Sequence, residues 1–211
     1  MALRSFFEYL RAQGRRRKNP TAGISSRRPA VEAAEPYSRF QVRRLLNACP
    51  TLRDRALLIY ALASGCRRSE LLALRVEDIN WSAGTILVPD GKGGKGRRVA
   101  PGRTALAMLR RWVGFRKEGS VWLNDAGRPI TPHAAYKALR AIAQAAGVDG
   151  ATFHRFRVTA ADRYTDQGMS LDELQEVLGH SDIATTAHYA AYNRKKRALR
   201  RQRQLADRIV A

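Results

Sequence analysis

Four stretches of this 211-residue chain hold side chains whose types and spacing suit chemistry at an anionic centre. In "LGHSDIATTAHYAAY", His180 follows a Gly, Tyr189 comes nine residues later and Tyr192 three after that. A phenol is a poor nucleophile at neutral pH unless a neighbour activates it. In "HRFR", His154 and Arg157 lie three apart, on one face if the segment is helical. A ring that exchanges protons beside a fixed bidentate cation suits a phosphate. In "SGCRRSELLALRVEDIN", Arg67 follows a glycine turn near a helix start. Free backbone N–H groups and a guanidinium there would hold a phosphate. Glu70, three residues on, is placed to orient Arg67 or a nearby backbone group. In "GKGGKG", glycines around Lys92 let a cationic loop reach into a groove. Each feature has an ordinary counterpart: a surface His-Arg pair, a charged exposed helix, a mobile turn, buried aromatics.

Composition narrows the partners. Lys plus Arg number 39 against 18 Asp plus Glu, a formal net charge of +21. Such an excess resists compaction unless a polyanion neutralises it, and nucleic acid is the usual one. An anionic membrane or ribosomal RNA would give the same count. Apolar residues make up 45%, enough for a core. Two cysteines, Cys49 and Cys66, suggest neither a disulfide framework nor a zinc site. No window has the length and apolarity of a membrane span. The N-terminus lacks a signal-peptide pattern, so a cytosolic location is expected.

The elements that must position these residues are mostly helical. "LRSFFEYLRAQG" has apolar residues at helical spacing, with Gly14 as a stop. Residues 15–36 are rich in Pro, Ser, Ala and Arg and form a basic linker. Ser38 with Gln41, and Ser170 with Glu173, make capping-box patterns, and Thr51 caps a run before Asp54. "TILVPD" and "RRVAP" are short β-prone segments joined by the glycine loop, a hairpin signature. Helical patterns follow from "TALAMLRRWVGF" to the basic tail, with Gly179 where a C-terminal glycine belongs. The expected fold is mainly α with a small antiparallel β-sheet.

Taken in order, Gly-x-Arg-x-x-Glu-Leu at Arg67, the Gly-Lys-Gly hairpin, His-x-x-Arg, Leu-Gly-His and a Tyr nine residues later form a specific set. The set resembles the catalytic domain of the tyrosine recombinase (phage integrase) family, from about Pro36 to Tyr192. The resemblance implies the catalytic-domain fold of that family, mainly α with a small three-stranded antiparallel β-sheet. It also implies a DNA breaking–joining enzyme working through a 3′-phosphotyrosyl intermediate and a Holliday junction. It assigns Arg67 and Arg157 as phosphate clamps and Lys92, with Lys95 as fallback, as the hairpin lysine. His154 and His180 become the two site histidines and Tyr189 the nucleophile. Tyr192 and Tyr164 fall to packing roles and His188 to a solvent-facing or structural one. The scheme needs no metal and no cofactor. Its partners are double-stranded DNA and further copies of the chain, a tetramer in the synaptic complex, with no membrane.

Two departures stand out. Val158 follows Arg157 where many members carry a second His, and little of the N-terminal clamp domain is present. The domain expectation is residues 1–14 as the last helix of a core-binding domain and 15–36 as linker. Residues 37–192 are the catalytic domain and 193–211 a basic C-terminal helix. Rival readings are a non-catalytic DNA-binding regulator and a topoisomerase-like nicking–closing enzyme.

Overall fold

The computed structural model describes residues 2–23, 34–89 and 96–179, with 198, 199, 202, 205, 206 and 209 of the tail. The chain divides into two units, Met1–Ala33 and Ala34–Ala211. In the first, α1 (Ala2–Ala12) ends before Gly14, whose positive φ of 67° lets the Arg15 amide reach the Leu10 carbonyl. Leu3, Phe6 and Tyr9 of α1 are exposed. A helix this short draws little stability from its own hydrogen bonds. Arg16 stacks over Phe7 at 5.2 Å, and Asn19 Nδ2 donates to Glu8 Oε1 at 3.1 Å.

The second unit runs α2 (Arg39–Asn47), α3 (Leu52–Ser64), α4 (Arg68–Ala73), a 3₁₀ turn at Val76–Asp78, then β1 (Ile79–Asn80), β2 (Thr85–Val88) and β3 (Arg97–Val99). Next come α5 (Gly102–Val113), α6 (Pro132–Ala146), α7 (Phe153–Asp166) and α8 (Leu171–Leu178). Side-chain caps start α2, α3 and α8 as expected. Ser38 and Gln41 close a capping box on α2, Ser170 and Glu173 another on α8, and Thr51 Oγ1 accepts the Asp54 amide. Each such cap satisfies N–H groups that have no partner inside the helix.

Helix α3 is the hub. It packs on α5 and α7, and Ala56, Leu57, Leu58, Tyr60 and Ala61 are all buried. Trp122 is fully buried beside Tyr60, and its Nε1–H donates to the Leu71 carbonyl at 2.6 Å. That bond satisfies the one polar atom of the indole, so the whole ring joins the core. On the other side, Tyr37 lies 4.9 Å from Phe156 between ring centroids, and its amide donates to Thr159 Oγ1 at 2.8 Å. These contacts hold α7 against the start of the unit.

The sheet is antiparallel in the order β1-β2-β3. Ile79 pairs with Ile86, and Val88 with Arg97. The β2–β3 pairing bears out the hairpin expectation, and β1 supplies the third strand. The Val88–Arg97 end is the end that carries the glycine loop. Helix α8 packs its Leu174 and Leu178 on Ala161 of α7 and also touches β3. The C-terminus of α8 and the loop end of the hairpin therefore meet. Among the described residues, no helix is long and apolar enough to cross a membrane.

Candidate active site

Arg67 leaves the turn between α3 and α4. Gly65 ends α3 in the left-handed region, with φ 62°. A Cβ there would stand 2.7 Å from Leu178 Cδ2 and 3.3 Å from Ala160, so both conformation and space require glycine. Beyond the turn, Arg67 Nη1 pairs with Glu70 Oε1 at 2.9 Å and Nη2 donates to the Gly179 carbonyl at 2.7 Å. One expectation needs correction. The Arg67 amide is not free for a ligand, because it donates to Glu70 Oε2 at 2.8 Å and caps α4. Glu70 thus does both jobs open to it, holding the backbone and the guanidinium, and the guanidinium is what faces out.

Arg157 and His154 both sit in the first half of α7, which Thr152 caps by accepting the Arg155 amide. Arg157 is only 4% exposed. Its Nη1 donates to the Gly65 carbonyl at 2.8 Å and its Nη2 to the Leu178 carbonyl at 3.0 Å. Gly65, Leu178 and Gly179 all lie at helix C-termini, where carbonyls lack helical partners and the dipole favours a cation. Two arginines far apart in sequence are thereby seated on the ends of α3 and α8.

Arg67, Arg157 and His154 line one cavity of about 300 Å³, together with Arg68, Tyr136 and Thr152. His154 opens to solvent at its mouth. Partial burial, and then the nearby Arg157 charge, push its pKa below the ordinary 6.5. That shift favours the uncharged ring, the form able to accept a proton. Tyr164 belongs elsewhere. It is half-buried, its hydroxyl donates to the Ala63 carbonyl, and it packs beside Ala161 and Leu174.

Lys92, Lys95, His180, His188, Tyr189 and Tyr192 lie outside the described residues. Gly179 accepts from Arg67, and Arg97, at the loop end of β3, is woven into the same cluster. Composition does not single out Arg97 among the 39 basic residues of the sequence. Strand periodicity was the available signal, since Arg97 shares its face with buried Val99 while Arg98 points the other way. Arg97 Nη1 and Nη2 donate to Glu70 Oε1 and Oε2 at 3.1 and 2.7 Å, and its Nε donates to the Val177 carbonyl at 2.8 Å.

Glu70 is the electrostatic centre of the cluster. Burial by itself would raise its pKa. Hydrogen bonds from Arg97 and from the Arg67 amide and guanidinium outweigh that and hold it at about 2, against an ordinary 4.5. A depressed carboxylate stabilises the fold above its unfolded-state pKa, and the contribution fades as pH falls toward the folded value. Wild type should therefore lose stability between pH 4.5 and about 2, and Glu70→Gln should lose less over the same window. Thermal unfolding followed across that range checks the slope; parallel curves would rule out the linkage.

Residues 37–196 match the phage integrase family model. The chain is 31% identical over 201 residues to tyrosine recombinase XerC of Alcanivorax borkumensis, covering 89% of this chain and 65% of that one. It is 32% identical over 204 residues to tyrosine recombinase XerD of Listeria innocua, covering 89% and 68%. The chain thus spans about two thirds of the length of these relatives. The fold is similar to the Tn1549 transposon integrase, solved in complex with circular intermediate DNA. The TM-score is 0.73 at 20% identity, over 88% of this chain and 71% of that one.

Proposed function

This chain belongs to the phage integrase family, and on that premise we propose that it is a site-specific DNA recombinase. It breaks and rejoins strands through a 3′-phosphotyrosyl intermediate. The observation that carries the reading is the convergence of Arg67 and Arg157 on one cavity that His154 also lines. Two guanidiniums fixed by backbone carbonyls offer a preorganised positive site for a phosphodiester.

In this scheme the Tyr189 oxygen attacks the scissile phosphorus in line with the departing 5′-oxygen. A P–O bond to the phenolic oxygen forms as the P–O5′ bond breaks. Arg67 and Arg157 neutralise charge on the non-bridging oxygens of the five-coordinate transition state, and His180 hydrogen-bonds one of them. His154 helps accept the phenol proton, and Lys92 delivers a proton to the leaving 5′-oxygen. The phosphotyrosyl link retains the bond energy, so a 5′-hydroxyl can attack it and restore a phosphodiester without a nucleotide cofactor. When that hydroxyl belongs to another duplex, strands exchange and a Holliday junction forms.

The partners proposed are double-stranded DNA and further copies of this chain, four in the synaptic complex, in the cytoplasm on the nucleoid. The +21 charge suits a phosphate backbone and makes binding steeply salt-dependent. The test is capture on nicked duplexes with a randomised centre, from which the short fragment bearing the freed 5′-hydroxyl diffuses away. Wild type should form an SDS-resistant adduct, and the recovered peptide should carry its nucleotide on Tyr189. Strand joining between duplexes would separate recombination from simple nicking and closing. Salt-sensitive binding with no adduct would sink the enzymatic reading and leave a DNA-binding regulator.

A further inference from the structure

Arg97 has no part in the chemistry above, yet it is among the most fully engaged cations near the cavity. We propose that Arg97 is a positioning residue for Arg67, acting through the Glu70 carboxylate that the two arginines share. The proposal rests on the recombinase reading of Arg67.

The geometry of the carboxylate carries the argument. Oε1 accepts from Arg67 Nη1 and Arg97 Nη1, and Oε2 from the Arg67 amide and Arg97 Nη2. A carboxylate has about four lone-pair sites, so these four donors saturate it. Arg97 grips both oxygens and thereby fixes the rotation of the group, which in turn fixes where Arg67 Nη1 must sit. Arg97 is itself braced, since its Nε is held by the Val177 carbonyl at 2.8 Å.

Its seat is also shaped for it. Gly179 packs against the Arg97 side chain, and a Cβ there would stand 2.8 Å from Nη1, 3.0 Å from Cδ and 3.1 Å from Cζ. The same Gly179 carbonyl receives Arg67 Nη2. One residue thus touches both arginines. The two guanidiniums differ in outlook. The Arg97 side chain is 14% exposed and stays within the wall, whereas that of Arg67 is 42% exposed and lines the cavity.

Charge follows from the same arrangement. One carboxylate between two guanidiniums leaves a net positive charge, so Arg67 is not neutralised by its own partner. Without Arg97, Arg67 and Glu70 would form a simple neutral pair, held only by the Arg67 amide and the Gly179 carbonyl, and the field at the phosphate would weaken. The loss should fall on the chemical step, where charge develops, more than on binding the duplex.

Arg97→Met, which keeps an apolar stem, and Arg97→Lys, which keeps the charge but not the fork, test this. The substrate is a nicked duplex recovered from the wild-type adducts. Arg97→Met should slow single-turnover adduct formation at saturating duplex about 10- to 100-fold, the cost of a small misplacement. Duplex affinity should change by no more than about threefold, and Arg97→Lys should recover part of the rate. In the DNA-free protein, carboxyl carbon NMR should show Glu70 titrating at higher pH in Arg97→Met than in wild type. A wild-type rate in Arg97→Met, affinity falling as far as rate, or an unmoved Glu70 midpoint would each overturn the proposal. If wild type forms no adduct, the recombinase reading falls, and the Glu70 midpoint alone decides whether Arg97 acts on it. Should Arg97→Met fail to fold, Arg97→Lys and Arg97→Gln supply the same two measurements.

Discussion

Arg157→Met is expected to lose both catalysis and stability. On the catalytic side, removing one preorganised donor to a developing oxyanion costs roughly 3–4 kcal/mol of barrier, a 10²- to 10³-fold loss of rate. On the stability side, Arg157 is 4% exposed and supplies hydrogen bonds to the Gly65 and Leu178 carbonyls. Each carbonyl left without a donor in a buried setting costs about 1–3 kcal/mol. The two losses are separable. Single-turnover adduct formation at a temperature where the variant is folded gives the first, and denaturant unfolding gives the second. Arg157→Lys should not rescue the rate, because an ammonium cannot span two carbonyls and a phosphate as a planar fork does. A near-wild-type rate in folded Arg157→Met would remove the phosphate-clamp role from α7.

Tyr189→Phe should abolish the SDS-resistant adduct altogether while leaving duplex affinity close to wild type. The reason is chemical: a phenyl ring has no oxygen to bond to phosphorus. Tyr192→Phe should still form the adduct, since its place in the sequence does not match the nucleophile's spacing. Tyr164→Phe should also form it and lose only about 1 kcal/mol of stability, through the bond to the Ala63 carbonyl. An adduct that persists in Tyr189→Phe would move the nucleophile elsewhere, and the labelled peptide would say where.

Much of the architecture is legible in the residues themselves. Ser38, Thr51 and Ser170 cap α2, α3 and α8, and Gly65 and Gly179 end α3 and α8 in the left-handed region. These are local rules, in which a side chain or a missing Cβ acts within a few residues of itself. The hairpin was legible for the same reason, because its two β-prone runs flank a glycine loop. The two-residue strand β1 was not, since so short a segment takes its conformation from pairing with β2.

The candidate site divides along the same line. Residue types and order alone determined that Arg67, Lys92, His154, Arg157, His180 and Tyr189 form a set resembling one family, because a fixed series of side chains along a chain is sequence information. Only the tertiary structure decided what each described arginine holds. It spent the Arg67 amide on Glu70, buried Arg157 on the carbonyls of Gly65 and Leu178, and drew Arg97 from the hairpin into the cluster. Residues 65, 97, 157 and 178 are remote in the chain. Their meeting follows from α7 and α8 packing together, α7 against α3 and α8 against β3. Among 39 basic residues, nothing local distinguishes a cation that will face a phosphate from one that will brace another cation. Burial and the carbonyls at two helix ends make that distinction.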